Sequence, residues 1–215
     1  MLSRQNLSLA AGMAAAVILT AGALIASTAG TADAGTQPGD DAPGFSGVNS
    51  YGDTVSLSDY AGQTVVLEWT NDGCPFVRKH YSAPPSNMQG LQAGAADDGI
   101  VWLTVISSAP GKQGHSDGAR ANQLTADRGA APAHVILDES GDIGRLYGAK
   151  TTPHMFVITP DGEIAYQGAI DSKPSANVAD IGTATNYVTA ALTSLAAGEA
   201  VEVTNTKPYG CSVKY

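Results

Sequence analysis

Thr64-Val65-Val66-Leu67-Glu68-Trp69-Thr70-Asn71-Asp72-Gly73-Cys74-Pro75-Phe76-Val77-Arg78-Lys79-His80 passes from an apolar, β-prone run through a polar turn into a proline. The run Thr64 to Trp69 has almost no polar break, the pattern of a strand covered on both faces. Pro75 suits the first position of a helix, where its missing N–H costs no hydrogen bond, so a helix is predicted from Pro75 to about Tyr81. Cys74 therefore falls at a helix N-terminus. Unpaired backbone N–H groups and the positive end of the helix dipole favour thiolate there, and thiolate is the nucleophilic form. Arg78, Lys79 and His80 add positive charge one to two turns onward, while Asp72 opposes it. A buried, inert cysteine under a helix end is the plain alternative.

Downstream, Pro84-Pro85 interrupts the helix, and Ser86 is placed to cap a second one reaching about Ala96. Ile100 to Ile106 is a second buried strand, Asp117 to Asp127 a helix, His134 to Leu137 a strand and Ile143 to Tyr147 a short helix. Met155 to Thr159 and Glu163 to Gln167 form a hairpin about Asp161-Gly162, and Val188, Leu192 and Leu195 mark a last helix from about Ala184 to Ala197. Upstream, Tyr51-Gly52-Asp53 turns an N-terminal hairpin that ends in the alternating Val55-Ser56-Leu57-Ser58. Strands and helices alternating first, then a hairpin and a helix, describe an α/β fold of three layers around a mixed sheet.

The chain opens with Arg4, an apolar run from about Leu9 to Ile25, and the small-residue site Ala32-Asp33-Ala34. That is the pattern of a secretory signal peptide over residues 1–34, which implies an exported protein, periplasmic or extracellular, with a retained membrane anchor as the alternative reading. Residues 35–44, rich in Gly, Pro and Asp, read as a flexible lead-in, residues 45–200 as one domain and 201–215 as a tail. The net charge of −9 argues against nucleic acid or an anionic membrane as partner.

Cys74 and Cys211 are the two cysteines of the chain, and an exported protein lives where disulfides persist. They permit one intramolecular bridge, two independent buried thiols, or one exposed thiol used between chains. A bridge would close a loop of more than 100 residues, worth ~5 kcal/mol in the chain-entropy model if unstrained. Gly210 and Pro208 let the backbone bend near Cys211.

Trp69 with Cys74-Pro75 after an apolar strand, and Lys150-Thr151-Thr152-Pro153-His154-Met155-Phe156-Val157-Ile158 far downstream, resemble the thioredoxin superfamily. Within it, the chain is similar to the redoxins related to alkyl hydroperoxide reductase and thiol-specific antioxidant proteins, the peroxiredoxin-like group, from about Pro38 to the end. The resemblance implies a thioredoxin-like fold, with the hairpin as an N-terminal extension. It also implies a cis peptide at Thr152-Pro153 packed against the sulfur, with the Thr152 backbone as the place where a partner's disulfide or peptide strand docks. Cys211 is then the one available resolving thiol, and tails of this kind occur in the group.

Two departures bear on activity. A thioredoxin carries a second cysteine three positions after the first, where this chain has Val77. A peroxiredoxin has Pro and then Thr or Ser seven and three positions before its cysteine, where this chain has Leu67 and Asn71, leaving Thr70 one position off as a substitute for the peroxide-binding hydroxyl.

Glu68 sits where thioredoxins keep a buried acid; it is either a paired or proton-accepting carboxylate, or a hydrated one near a strand end. His80, His115, His134 and His154 have no metal-site spacing and no CxxCH occurs, so neither a metal nor another cofactor is expected. The catalytic candidates are Cys74, Cys211 and Glu68, with Thr152, Pro153, Thr70 and Arg78 around the substrate. The expected partner is a protein thiol or disulfide, or a small peroxide, served by an unidentified electron donor. The competing expectation is a non-catalytic binding scaffold with a structural Cys74–Cys211 disulfide.

Overall fold

Among the described residues, the longest apolar runs form the central strands of a sheet. A computed structural model describes residues 35–82 and 87–215; the expected signal segment and the Ser86 cap lie outside the described residues. Strands β1 (Ser46–Asn49) and β2 (Thr54–Ser56) form the N-terminal hairpin. The Asn49 side-chain oxygen accepts from the N–H groups of Tyr51 (2.9 Å) and Asp53 (3.0 Å), and Gly52 supplies the positive φ of 92° that the turn needs. Next come β3 (Val65–Trp69), α1 (Pro75–Ser82), α2 (Asn87–Asp97), β4 (Val101–Ile106) and α3 (Gly118–Arg128). Asp117 caps α3 by accepting from Arg120 N–H (2.8 Å).

The second half holds β5 (His134–Leu137), α4 (Asp142–Leu146), β6 (Thr151–Thr152), β7 (His154–Ile158) and β8 (Ile164–Gly168). Helix α5 (Tyr187–Ala196) and the two-residue strand β9 (Cys211–Ser212) end it. Seven strands make one sheet in the order β2-β1-β5-β4-β3-β7-β8. The central β3–β4 and β4–β5 pairs are parallel, and the outer pairs antiparallel. Every residue of β3, β4 and β7 is buried, as their unbroken apolar runs predict.

Alternation in β3 divides the core. Val65, Leu67 and Trp69 face Leu103, Ile136, Phe156 and Ile143 of α4, whereas Val66 joins Cys74, Val77, Met88 and Val188 under α1, α2 and α5. Trp69 is fully buried; its ring lies 5.5 Å from Tyr147 and 5.2 Å from Phe156, and its Nε1 donates to Ser107 Oγ (2.9 Å). Such a side chain contributes on the order of 2–3 kcal/mol and fixes the end of β3 from which the Cys74 turn departs.

Within residues 35–44, Gly39, Asp40 and Ala42 pair their backbone with the start of β8 and the turn before it. Gly39 N–H donates to Ile164 O (2.9 Å), Ile164 N–H to Asp40 O (2.9 Å) and Ala42 N–H to Gly162 O (2.7 Å). Backbone pairing carries no hydrophobic signature, so composition alone concealed it. Leu57–Tyr60 and Val178–Thr183 form 3₁₀ turns that no periodicity announced.

Candidate active site

A chain of backbone bonds places Cys74. Its N–H donates to Asn71 O (3.0 Å), Gly73 N–H donates to Asn71 Oδ1 (2.8 Å), and Asn71 Nδ2 donates across to Gln113 O (3.0 Å). The Cys74 carbonyl accepts from Arg78 N–H (3.0 Å), which makes Cys74 the residue that opens α1. Its side chain is fully buried, and Sγ–H donates to Thr152 O at 3.1 Å. The Thr152-Pro153 peptide is cis.

The tail reaches the same carbonyl from the other side. Strand β9 pairs antiparallel with β6, Cys211 opposite Thr152 and Ser212 opposite Thr151. Gly210 packs so closely, at φ 135°, that a Cβ there would overlap Thr152 O. The two cysteines are free thiols on either side of the Thr152 backbone, and they perturb each other's titration in opposite directions. Burial pushes the Cys74 thiol up, but the Cys211 thiol and backbone N–H and the Val77 N–H favour its thiolate and bring it below the ordinary thiol range. Burial and the neighbouring Cys74 push Cys211 up to about 11.

Both ends of the tail are tied down. Tyr209 Oη donates to Asp171 Oδ1 (2.5 Å), while Lys79 Nζ donates to Asp171 Oδ2 (3.1 Å), Lys173 O (2.9 Å) and Tyr209 Oη (3.4 Å). Asn87 Nδ2 donates to His80 Nδ1 (2.7 Å), which leaves the His80 proton on Nε2, 3.2 Å from Tyr209 Oη. Burial lowers the His80 pKa to about 4, Asp171 opposing and Lys79 reinforcing, so the ring is neutral near pH 7. Beyond Cys211, Val213 N–H donates to Lys150 O (3.1 Å) and Tyr215 Oη to Ala149 O (2.9 Å).

These contacts revise the expected sources of charge. Lys79 is engaged by Asp171, His80 is neutral, and Arg78 is exposed with its Nε donating to Asp72 O (3.0 Å), so hydrogen bonds rather than this basic trio support the Cys74 thiolate. Asp72 is drawn off by Arg128 (2.7 Å) and Arg120 (3.1 Å). Glu68 is fully buried and accepts from Tyr81 (2.8 Å), Gln92 (3.2 Å), Trp102 (3.0 Å) and Thr104 (3.3 Å); none of its hydrogen bonds among the described residues reaches Cys74. Burial raises its pKa, those donors only partly offsetting it. The Thr70 hydroxyl, without a partner among the described residues, lines a cavity of about 20 Å³ with Tyr81, Thr104 and Arg128, and among the described residues Cys74 does not line it. Among the described residues no group of three His, Cys, Asp or Glu could hold a metal ion.

Asp171 and Tyr209, the partners that engage Lys79, carried almost no signal in the sequence. The one signal was a lone acid directly after the apolar Ala169-Ile170.

A thiol opening a helix after a central strand, packed on a cis Thr-Pro peptide in a mixed seven-stranded sheet, defines a redoxin of the thioredoxin superfamily. The chain belongs to the AhpC/TSA family, whose family model matches residues 38–167. Similar solved structures include an uncharacterized conserved protein from Geobacillus kaustophilus, 23% identical over 83% of this chain and 92% of that one, with a TM-score of 0.72. A hypothetical protein from Sinorhizobium meliloti 1021 is 19% identical over 85% and 96%, with a TM-score of 0.69. The thioredoxin domain of a thiol-disulfide oxidoreductase from Bacteroides vulgatus is 18% identical over 69% and 96%, with a TM-score of 0.50. These likenesses are of fold. No curated protein matches the chain.

Proposed function

We propose that the protein is an exported thiol–disulfide oxidoreductase in which Cys74 is the nucleophile and Cys211 the resolving thiol. The observation that carries this reading is the placement of Cys211 opposite Thr152, the residue whose carbonyl accepts the Cys74 thiol proton, with the Cys74 pKa lowered and the Cys211 pKa raised. The Cys74 thiolate attacks one sulfur of a partner disulfide; that S–S bond breaks, a Cys74–partner disulfide forms and the partner's other sulfur leaves as thiolate and takes a proton. Cys211 then loses its proton and attacks Cys74 Sγ, releasing the partner's second thiol and leaving a Cys74–Cys211 disulfide. The partner gains two electrons, and an external thiol returns the pair to the reduced state.

Thr152 and Pro153 shape the groove in which the partner's sulfur approaches. A disulfide suits the site better than a peroxide, because Asn71 replaces the usual hydroxyl and its own amide is committed to Gln113 and Gly73. Export rests on Arg4, the apolar run to Ile25 and Ala32-Asp33-Ala34. Mass mapping without reductant tests the assignment. Oxidised protein should contain the Cys74–Cys211 disulfide, Cys211→Ser should accumulate Cys74 mixed disulfides, and Cys74→Ser should lose exchange activity. Full activity in Cys74→Ser would discard the reading.

The complete burial of Cys74 favours a second reading, a thioredoxin-fold scaffold in which the pair forms a permanent structural bridge. A reduction potential well below about −300 mV, with no turnover, would select it.

A further inference from the structure

A pocket of about 440 Å³ opens at the ends of β7 and β8, between residues 35–37 and the start of the tail, and Lys150, Thr151, His154, Gln167 and Lys207 line it. That volume is in the range of small-molecule sites. In a chain with 20 acidic against 11 basic residues, no carboxylate lines this pocket among the described residues. Lys150 and Lys207 are exposed and make no ion pair among the described residues.

Two buried side chains add unused donors. His154 is 5% exposed, and its Nδ1 accepts from Lys150 N–H (3.3 Å), so the neutral ring carries its proton on Nε2, which has no hydrogen-bond partner among the described residues. Burial, then Lys150, lowers the ring's pKa to about 3, which keeps it a neutral donor in ordinary buffers. Gln167 is 9% exposed; its Oε1 accepts from Thr36 Oγ1 (3.2 Å), while its Nε2 donates to nothing among the described residues. Neither N–H is sealed from solvent, so both face the open space of the pocket, where an entering acceptor would replace water. Two such N–H groups, two ammonium groups and no acid call for oxygen atoms carrying negative charge, and they exclude a metal ion, which needs acceptors.

We propose that this pocket binds a small organic anion, whose carboxylate or phosphoryl oxygens are received by His154 Nε2, Gln167 Nε2 and the ammonium groups of Lys150 and Lys207. The site is separate from the thiol pair, and Thr151 borders both.

Calorimetric titration of the full chain with citrate, with glycerol phosphate and with glycerol, at constant ionic strength and pH 7, tests the proposal alongside NMR of the His154 ring. At least one anion should bind and shift the His154 resonances, while glycerol should do neither. Citrate alone would assign a carboxylate ligand, and glycerol phosphate alone a phosphoryl ligand. The double variant Lys150→Gln, Lys207→Gln, altered only at exposed positions, should fold normally and bind at least about tenfold more weakly, the measure of one charge-assisted hydrogen bond. Failure of both anions to bind, binding without a His154 shift, equal binding of glycerol, or undiminished binding by the double variant would overturn it.

Discussion

Cys211 stands opposite Thr152 in a two-residue antiparallel ladder, so the tail occupies the backbone edge beside which Cys74 donates its thiol proton. The Cys74 sulfur is sealed by the segment that carries Cys211.

The two thiols should titrate far apart. Thiolate absorbance should show a first step below the ordinary thiol range and a second near about 11. The steps belong to the coupled pair, so removing one group must move the other. Cys211→Ala deletes one donor to the Cys74 thiolate and should raise the remaining step. A first step that stays in place would show that Cys211 does not support the thiolate.

Gly210 sets how tightly the seal closes. Gly210→Ala puts a methyl group onto Thr152 O at a φ of 135°, which no relaxation of a flexible side chain can relieve. The β6–β9 pairing should break, at a cost of about 1–3 kcal/mol. Alkylation of Cys74 in the native protein should accelerate at least tenfold over the wild type, since the sulfur starts with no exposure. Equal alkylation rates would mean that something other than the tail limits access.

Tyr209 ties the tail to α1, the helix that Cys74 opens. Tyr209→Phe keeps the ring against Phe76 but removes the hydroxyl shared by Asp171, Lys79 and His80. Loss of about 1–2 kcal/mol of stability is expected, together with about a tenfold lower effective concentration of Cys211 at Cys74, read from the equilibrium with a small disulfide. Lys79→Met strands Asp171 as an unpaired buried charge and should cost more, about 3–5 kcal/mol in urea unfolding.

Much of this arrangement was legible because it is written in local patterns. The apolar runs of β3, β4 and β7 announced a buried sheet and Cys74-Pro75 a thiol opening a helix, while the bend at Thr152-Pro153 followed from the resemblance to the thioredoxin superfamily. What joined these parts was not local. Lys79 meets Asp171 across 92 positions, and Cys211 meets Thr152 through backbone groups that every residue carries. Periodicity cannot rank such pairings, and the short, Gly-containing tail has too little apolar content to register as a strand. Arg78 and Thr70 lay at plausible spacings, yet their side chains follow other partners, a carbonyl for one and a cavity for the other.

Glu68 separates structural from catalytic charge. Glu68→Gln keeps the size but converts an acceptor for Tyr81, Gln92, Trp102 and Thr104 into a group that must also donate. Stability should fall by about 1–3 kcal/mol, while the Cys74 titration step should stay where it is, since no hydrogen bond links the two groups among the described residues. A displaced thiol step with unchanged stability would instead give Glu68 the proton-accepting role.

Two buried histidines make the fold sensitive to acid. His80 and His154 have folded pKa values of about 4 and about 3, below the ordinary 6.5, because burial disfavours their charged forms. As pH falls below 6.5 the unfolded chain binds protons first, so stability is full above that value and is lost progressively down to the folded values. Each histidine can remove a few kcal/mol at about 1.4 kcal/mol per unit of pH, and Glu68, with its raised pKa, works in the opposite direction. The urea midpoint should therefore drop between pH 7 and pH 4.5, and His154→Phe should flatten that slope by roughly half, since Phe never takes up the proton. A midpoint constant over this interval, or a slope unchanged by His154→Phe, would mean that the two rings are hydrated rather than enclosed.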